Sequence, residues 1–179
     1  MNDPSFDINP KSKGSYVRRA QDINRALALL KIDSLSGVSA FASYYFCSEK
    51  LAKIIIGVEN KEPASKIFGP NGTLKIQSLK KSCRSLNLPV SEDEIDWIFN
   101  AKCSGTGWDK LISSLIANGS SLKSARWLRN KLVHDIGPTH VSLIQKQEKA
   151  LIPKMKKFLQ CTEEIVEYLS SNSSANRDG

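Results

Sequence analysis

The sequence predicts an all-α protein, an antiparallel bundle of long helices with additional short ones. Apolar residues recur at three- and four-residue spacing along most of the chain. No segment carries a convincing strand pattern, and there is neither β–α–β alternation nor an internal repeat. The glycines are scattered, so no glycine-rich loop cradles a phosphate.

Residues 1–14 hold Pro4, Pro10 and Gly14 among polar groups and read as a flexible N-terminal arm. The spacing predicts a first helix over Ser15–Ile32, with Tyr16, Ala20, Ile23, Leu27 and Leu30 on one face. Asp33–Gly37 is a short connection rich in capping residues. A second helix is expected over Val38–Val58, with Val38, Phe41, Ala42, Tyr45, Ala52 and Ile56 on its apolar arc. Stepping about 100° per residue places Glu49 inside that arc. A carboxylate there needs a partner or must stay neutral.

Glu59–Gly72, with Pro63, Gly69, Pro70 and Gly72, reads as a long loop. A third helix is expected over Thr73–Leu86, where Lys75, Lys80, Lys81 and Arg84 form a basic face. Ser91-Glu92-Asp93-Glu94 reads as the capped, acidic start of a fourth helix that turns Ile95, Ile98 and Phe99 inward. Cys103–Gly107 is a turn and Trp108–Ala117 a short helix. Asn118–Ser121 then caps a helix over Ser121–Ile136, which Gly137-Pro138 stops. The last helical stretch, Val141–Leu169, carries Ile144, Leu151, Met155, Phe158, Thr162, Ile165 and Leu169 inward. Pro153 predicts a kink or break in it near Ala150–Ile152. Ser170–Gly179 is a polar, serine-rich tail expected to be disordered. The chain is thus one helical domain, residues 15–169, between an arm and a tail.

Composition narrows the class. Of 179 residues, 40% are hydrophobic and 25% charged, which are globular values. No apolar run is long enough to span a bilayer, and the N-terminus lacks the apolar core of a signal peptide. A cytoplasmic protein without membrane contact is expected. Cys47, Cys83, Cys103 and Cys161 are far apart, with no histidine near them at ligand spacing, so neither a metal site nor a disulfide framework is expected. The formal net charge of +8 favours a polyanionic partner, nucleic acid above all.

The chemistry concentrates on the helix over Ser121–Ile136. Leu122, Ala125, Leu128, Leu132, Val133 and Ile136 span an apolar arc of about 140°. Arg129 falls inside that arc, where a leucine would be expected. Asn130 and His134 form an i, i+4 pair on one flank, and Arg126 and Lys123 share that flank as candidate RNA-binding cations. A guanidinium does not deprotonate in practice, so an inward arginine must find an anion. Two answers are compatible: a buried pair with Glu49, or a cleft open to a phosphate. Imidazole titrates near neutral pH and can move a proton. Arg129, Asn130 and His134 together offer what cleavage by a ribose 2′-hydroxyl requires, without a metal or other cofactor. His134 transfers the proton, Arg129 stabilises charge on the phosphorane, and Asn130 orients either one or binds the phosphate.

Arg129-Asn130-Lys131-Leu132-Val133-His134 resembles the Arg-polar-x(3–5)-His signature of the HEPN superfamily, a group of all-α bundles whose motif lies on a late helix. The similarity is sharp over about a dozen residues and rests on architecture elsewhere. Ser48–Lys53 resembles early helices of that family far less specifically. The resemblance implies a metal-independent endoribonuclease acting in phage defence, a toxin–antitoxin system or RNA processing. It implies Arg129 and His134 as catalytic residues, with Asn130 as the polar residue of the motif; Glu49 is a supporting candidate from its angle alone. It also implies a homodimer with a composite active site, and an antitoxin or regulatory protein as a further partner. In one subgroup a modified Tyr lies two residues after the His; here that position is Ile136, so the likeness does not extend to that form of regulation. Other members are non-catalytic nucleotide-binding or adaptor modules partnering a nucleotidyltransferase or a defence complex, and this is the alternative.

Overall fold

One helix runs through the middle of the protein, and most of the other elements pack on it. The structure, a computed structural model, describes residues 8–32, 37–70, 72–100, 124–134 and 137–171. In chain order the helices among these residues are α1 (Pro10–Ile32), α2 (Gly37–Glu59), α3 (Ala64–Ile67), α4 (Ile76–Ser85), α5 (Glu92–Phe99), α6 (Ala125–His134) and α7 (Pro138–Ser171). The described residues contain no strand. No helix among them is long and apolar enough to cross a membrane.

The central helix is α2, which packs on α1, α3, α4, α6 and α7. Its sequence explains that position. Ile54, Ile55, Ile56, Gly57 and Val58 are buried in succession, and a helix apolar all round must be enclosed on all sides. Gly57 is where α1 comes closest. A Cβ there would overlap the ring and hydroxyl of Tyr16, whose Oη donates to the Glu62 carbonyl at 2.6 Å.

α1 begins at Pro10, five residues before the expected start. Asn9 accepts a hydrogen bond from the Lys11 amide at 2.9 Å, and proline is preorganised for the first helical position. Gly14, read as a breaker, sits within the helix at a cost of about 1 kcal/mol. Ile8 is buried, so the described end of the expected arm belongs to the core. The expected inward residues Tyr16, Ala20, Ile23 and Leu30 are buried, and Leu27 is partly so.

The segment expected to be a loop from Glu59 to Gly72 contains the one-turn helix α3. Phe68, just beyond it, packs against Tyr16 with ring centroids 6.4 Å apart. α4 departs from its expected basic face in one respect. Lys80 turns inward and meets Asp96 of α5 at 2.7 Å and Glu92 at 3.7 Å. Glu92 stands in the first turn of the next helix, where the expected reading had assigned it only to the acidic helix start, and Asp96 lies one turn further on.

α5 starts as its sequence predicts. The Ser91 hydroxyl accepts from the Glu94 amide at 3.2 Å and the Glu94 carboxylate accepts from the Ser91 amide at 2.9 Å, a reciprocal capping box. Ile95, Ile98 and Phe99 are buried, and Trp97 joins them. Phe99 meets Phe158 of α7 edge to face at 5.3 Å.

α7 is one continuous helix through Pro153, so the expected break does not occur. The expected stripe of Ile144, Leu151, Met155, Phe158, Thr162, Ile165 and Leu169 is buried on both sides of the proline. Pro153 lies on the exposed face, where the Lys149 carbonyl it leaves without a donor can meet water. Packing on both sides of the proline therefore carries the helix through it. The Cys103–Gly107 turn, the Trp108–Ala117 helix, the Asn118–Ser121 cap, Lys123, Ile136, residues 1–7 and residues 172–179 lie outside the described residues.

Candidate active site

The segment that carries Arg129 and His134 is held by its N-terminal end. Ser124 caps α6: its Oγ accepts from the Trp127 amide at 3.1 Å and donates to the Asn100 carbonyl. Arg126 Nη1 donates to the Phe99 carbonyl at 3.4 Å. Both links tie the start of α6 to the end of α5, where carbonyls lack helical partners. The cap thus lies three residues later than the expected one. Below it, Ala125, Leu128 and Leu132 are buried against the core. Arg126, a candidate RNA-binding cation, spends at least part of its guanidinium on this junction.

Arg129 is half-buried, as its angular position within the apolar arc predicts. Its Cζ lies 5.9 Å from the Tyr45 ring centroid and 5.5 Å from that of Phe46, both on α2. Nη1 donates to Asn130 Oδ1 at 3.0 Å. Nε is buried without any hydrogen-bond partner. Among the described residues no carboxylate lies within ion-pair distance of this guanidinium.

The expected Glu49–Arg129 ion pair is not formed. Glu49 is half-buried and lies 3.9 Å from Lys53, one turn further along α2. Helical angle fixes a direction about one axis and says nothing of the height at which a neighbouring helix meets it. Lys53 at i+4 is within reach whatever the packing. Glu49 and Arg129 do share a neighbour. Burial pushes the Tyr45 phenol up, the Glu49 charge adds to that rise, and Arg126 and Arg129 oppose it.

His134 ends the described part of α6 and is exposed. Five residues after Arg129, it points about 140° away around the helix axis. The structure therefore brings Arg129 and Asn130 together by a hydrogen bond and sets His134 on the outer side. α6 carries Arg126, Arg129, Lys131 and His134 and no carboxylate. Lys131 Nζ lies 5.7 Å from the Trp127 ring centroid, which places a second cation on the same helix over an aromatic surface. Among the described residues no three His, Cys, Asp or Glu side chains gather as metal ligands.

Two apolar residues depart from the sequence reading: Phe46 had no place in it, and Val133, expected on the apolar arc of its helix, turns outward. Phe46 is 49% exposed and Val133 is 55% exposed. Phe46 borders the Arg129 guanidinium, and Val133 precedes His134. A signal for Phe46 was present: three successive aromatics, Tyr44-Tyr45-Phe46, span about 200° of a helix and cannot all face one side. Tyr44 and Tyr45 are buried, and Phe46 turns outward.

Compared with known proteins, the chain matches no family model, no curated protein and no solved structure.

Proposed function

We propose that this chain is a metal-independent endoribonuclease of the HEPN type, with an antiparallel HEPN-like bundle, and that it acts as a homodimer on RNA. One observation carries the reading: Arg129 is drawn into the protein with no counter-ion among the described residues, its Nε unsatisfied, in the motif that His134 completes. A buried donor without a partner costs stability. An arginine kept in that state suits a site whose anion arrives from outside. The phosphodiester of RNA is such an anion.

The chemistry follows from the groups. His134, as the free base, takes the proton of a ribose 2′-hydroxyl, and the oxygen attacks the adjacent phosphorus. The negative charge that builds on the phosphorane oxygens is met by the Arg129 fork, which Asn130 holds by its 3.0 Å hydrogen bond. The 5′-oxygen leaves and takes a proton from solvent or from the His134 of a second copy, giving a 2′,3′-cyclic phosphate and a 5′-hydroxyl end. Because Arg129 and His134 diverge around α6, a site shared between two copies accommodates them better than one copy does. Phe46 and Val133 offer apolar surface for that contact.

The alternative reading, a non-catalytic nucleotide-binding or adaptor module, draws on one observation. His134 has no hydrogen-bonding partner among the described residues to orient its ring, whereas a general base is usually held by a second group. The experiment that separates the two is RNA cleavage in excess chelator. Wild type is expected to cleave. His134→Ala is expected to lose about 10²–10⁴-fold in rate, and Arg129→Ala about 10²–10³-fold, with the helical circular dichroism unchanged. Undiminished cleavage by both variants removes the site assignment. A wild type that cleaves nothing but binds RNA or nucleotide favours the adaptor.

A further inference from the structure

We propose that the cavity between the start of α1 and α3 binds a phosphate ester, with Arg19 as the group that clasps the phosphate. The cavity has a volume of about 420 Å³. Ser12, Ser15 and Arg19 line it from α1, at positions three and four apart that share one face of the helix. Lys11 adds a second cation from the same helix start, and Ser65 closes the wall from α3. Among the described residues no carboxylate lines the cavity, and its walls carry the two positive charges of Lys11 and Arg19.

Arg19 is seated for recognition. Its Cζ lies 4.0 Å from the Phe68 ring centroid, a cation–π contact that holds the guanidinium over the ring. Phe68 is itself held against Tyr16, which hydrogen-bonds to the Glu62 carbonyl. The Arg19 Nε is buried and has no hydrogen-bond partner. Among the described residues no carboxylate pairs with Arg19. The charge of Glu62 reaches Tyr16 nearby, but its carboxylate is bonded to Lys66 at 2.6 Å.

A planar fork, an ammonium and several hydroxyls suit the three acceptor oxygens of a phosphate monoester better than the two of a carboxylate. The cavity exceeds a bare phosphate, and Pro63 and Ala64 give it an apolar wall against which the carbon part of an ester can lie. A 5′-nucleotide fits that description, whether free or at the end of an RNA strand. The site is separate from α6. Tyr16 meets α2 at Gly57 and Arg129 meets it at Phe46, eleven residues apart, or roughly 16 Å along the helix. The inference therefore does not depend on the reading of α6.

The test is calorimetric titration of the full chain with adenosine 5′-monophosphate, adenosine, and a short RNA with and without a 5′-phosphate. Wild type is expected to bind the monophosphate at least tenfold more tightly than adenosine. Arg19→Met, which keeps the stacked chain and removes the charge, is expected to abolish that preference. Arg19→Lys, which keeps the charge and loses the fork, is expected to weaken it in part. A further gain for 5′-phosphorylated RNA over the mononucleotide, lost in Arg19→Met, identifies the strand end as the ligand; equal affinities identify the free nucleotide. Equal binding of adenosine and its monophosphate overturns the proposal, as does the absence of phosphate binding at millimolar concentration. So does an Arg19→Met protein with native circular dichroism that keeps the preference. Should Arg19→Met fail to fold, Arg19→Lys and Ser15→Ala decide, and a full preference in both rejects the site.

Discussion

Lys80 and Arg129 are both cations drawn toward the interior, and the protein treats them in opposite ways. Lys80, only 9% exposed, reaches Asp96 at 2.7 Å and Glu92 at 3.7 Å, and Arg84 shares Glu92 at 3.4 Å. That cluster satisfies its charges internally and ties α4 to α5. Arg129 has two aromatic rings, one amide oxygen and a buried Nε with no partner. Guanidinium stays charged at any physiological pH, so its need for an anion is at least as great as that of the lysine. The difference lies in what the neighbouring helices supply. A cation that meets its carboxylates within the fold is architecture. A cation held against rings, with no carboxylate beside it among the described residues, is one an outside anion can meet.

If that contrast is right, substitutions at the two positions move different quantities. The largest effect is expected at Arg129→Met, which keeps a long side chain under Tyr45 and Phe46. RNA cleavage should fall by about 10²–10³-fold, while the unfolding free energy measured in urea changes by less than about 1 kcal/mol, because among the described residues no carboxylate is left unpaired. A large stability loss with activity retained would reverse the assignment and make Arg129 structural. Lys80→Ala comes next. It strands Asp96 beside an apolar core and should cost about 2–3 kcal/mol in urea unfolding, with the cleavage rate of the folded protein unchanged. Adding Asp96→Asn to Lys80→Ala should recover part of that loss, since the stranded charge is removed. Ser124→Ala is smaller. It removes the cap of α6 and the link to Asn100, and about 1 kcal/mol of stability is expected to go with it.

The contrast was only half legible in the sequence. Arg129 stood out because its angle put a guanidinium among leucines, and that depends on one helix alone. Lys80 did not stand out. Its helix reads as amphipathic with a basic face, and its inward turn depends on Asp96 and Glu92 arriving from another element. Glu49 failed for the same reason in reverse, since the wheel gave a direction but not the height at which α6 crosses α2. The capping box of Ser91 and Glu94 was readable because all its partners lie within four residues. The start of α1 was misplaced because Gly14 looked like a boundary, while the stronger local signal, Asn9-Pro10, was taken as part of the arm. The continuity of α7 through Pro153 reflects tertiary packing on both sides of the proline, which no local rule contains.

The smallest expected effect tests a satisfied charge at the edge of the same helix that holds Asp96. Glu94 accepts from the Ser91 amide at 2.9 Å and from Lys157 of α7 at 2.6 Å. Burial alone would push its carboxyl up, but the Lys157 and Ser91 hydrogen bonds and the Lys157 charge outweigh burial and hold it below the usual carboxylate range. The unfolded chain therefore binds this proton more readily than the folded one. The resulting stabilisation is present above the ordinary glutamate value of about 4.3 and is lost as pH falls through the lower folded value. Glu94→Gln keeps the shape and removes the charge. At pH 7 it should be less stable than wild type by less than about 1 kcal/mol, because Lys157 is largely exposed to solvent. The gap should narrow steadily as the pH of the unfolding series is lowered below the ordinary glutamate range, where the wild-type carboxyl takes up its proton. A gap that stays constant over that range would mean that Glu94 acts through its capping geometry alone, and that the tie between α5 and α7 contributes nothing by charge.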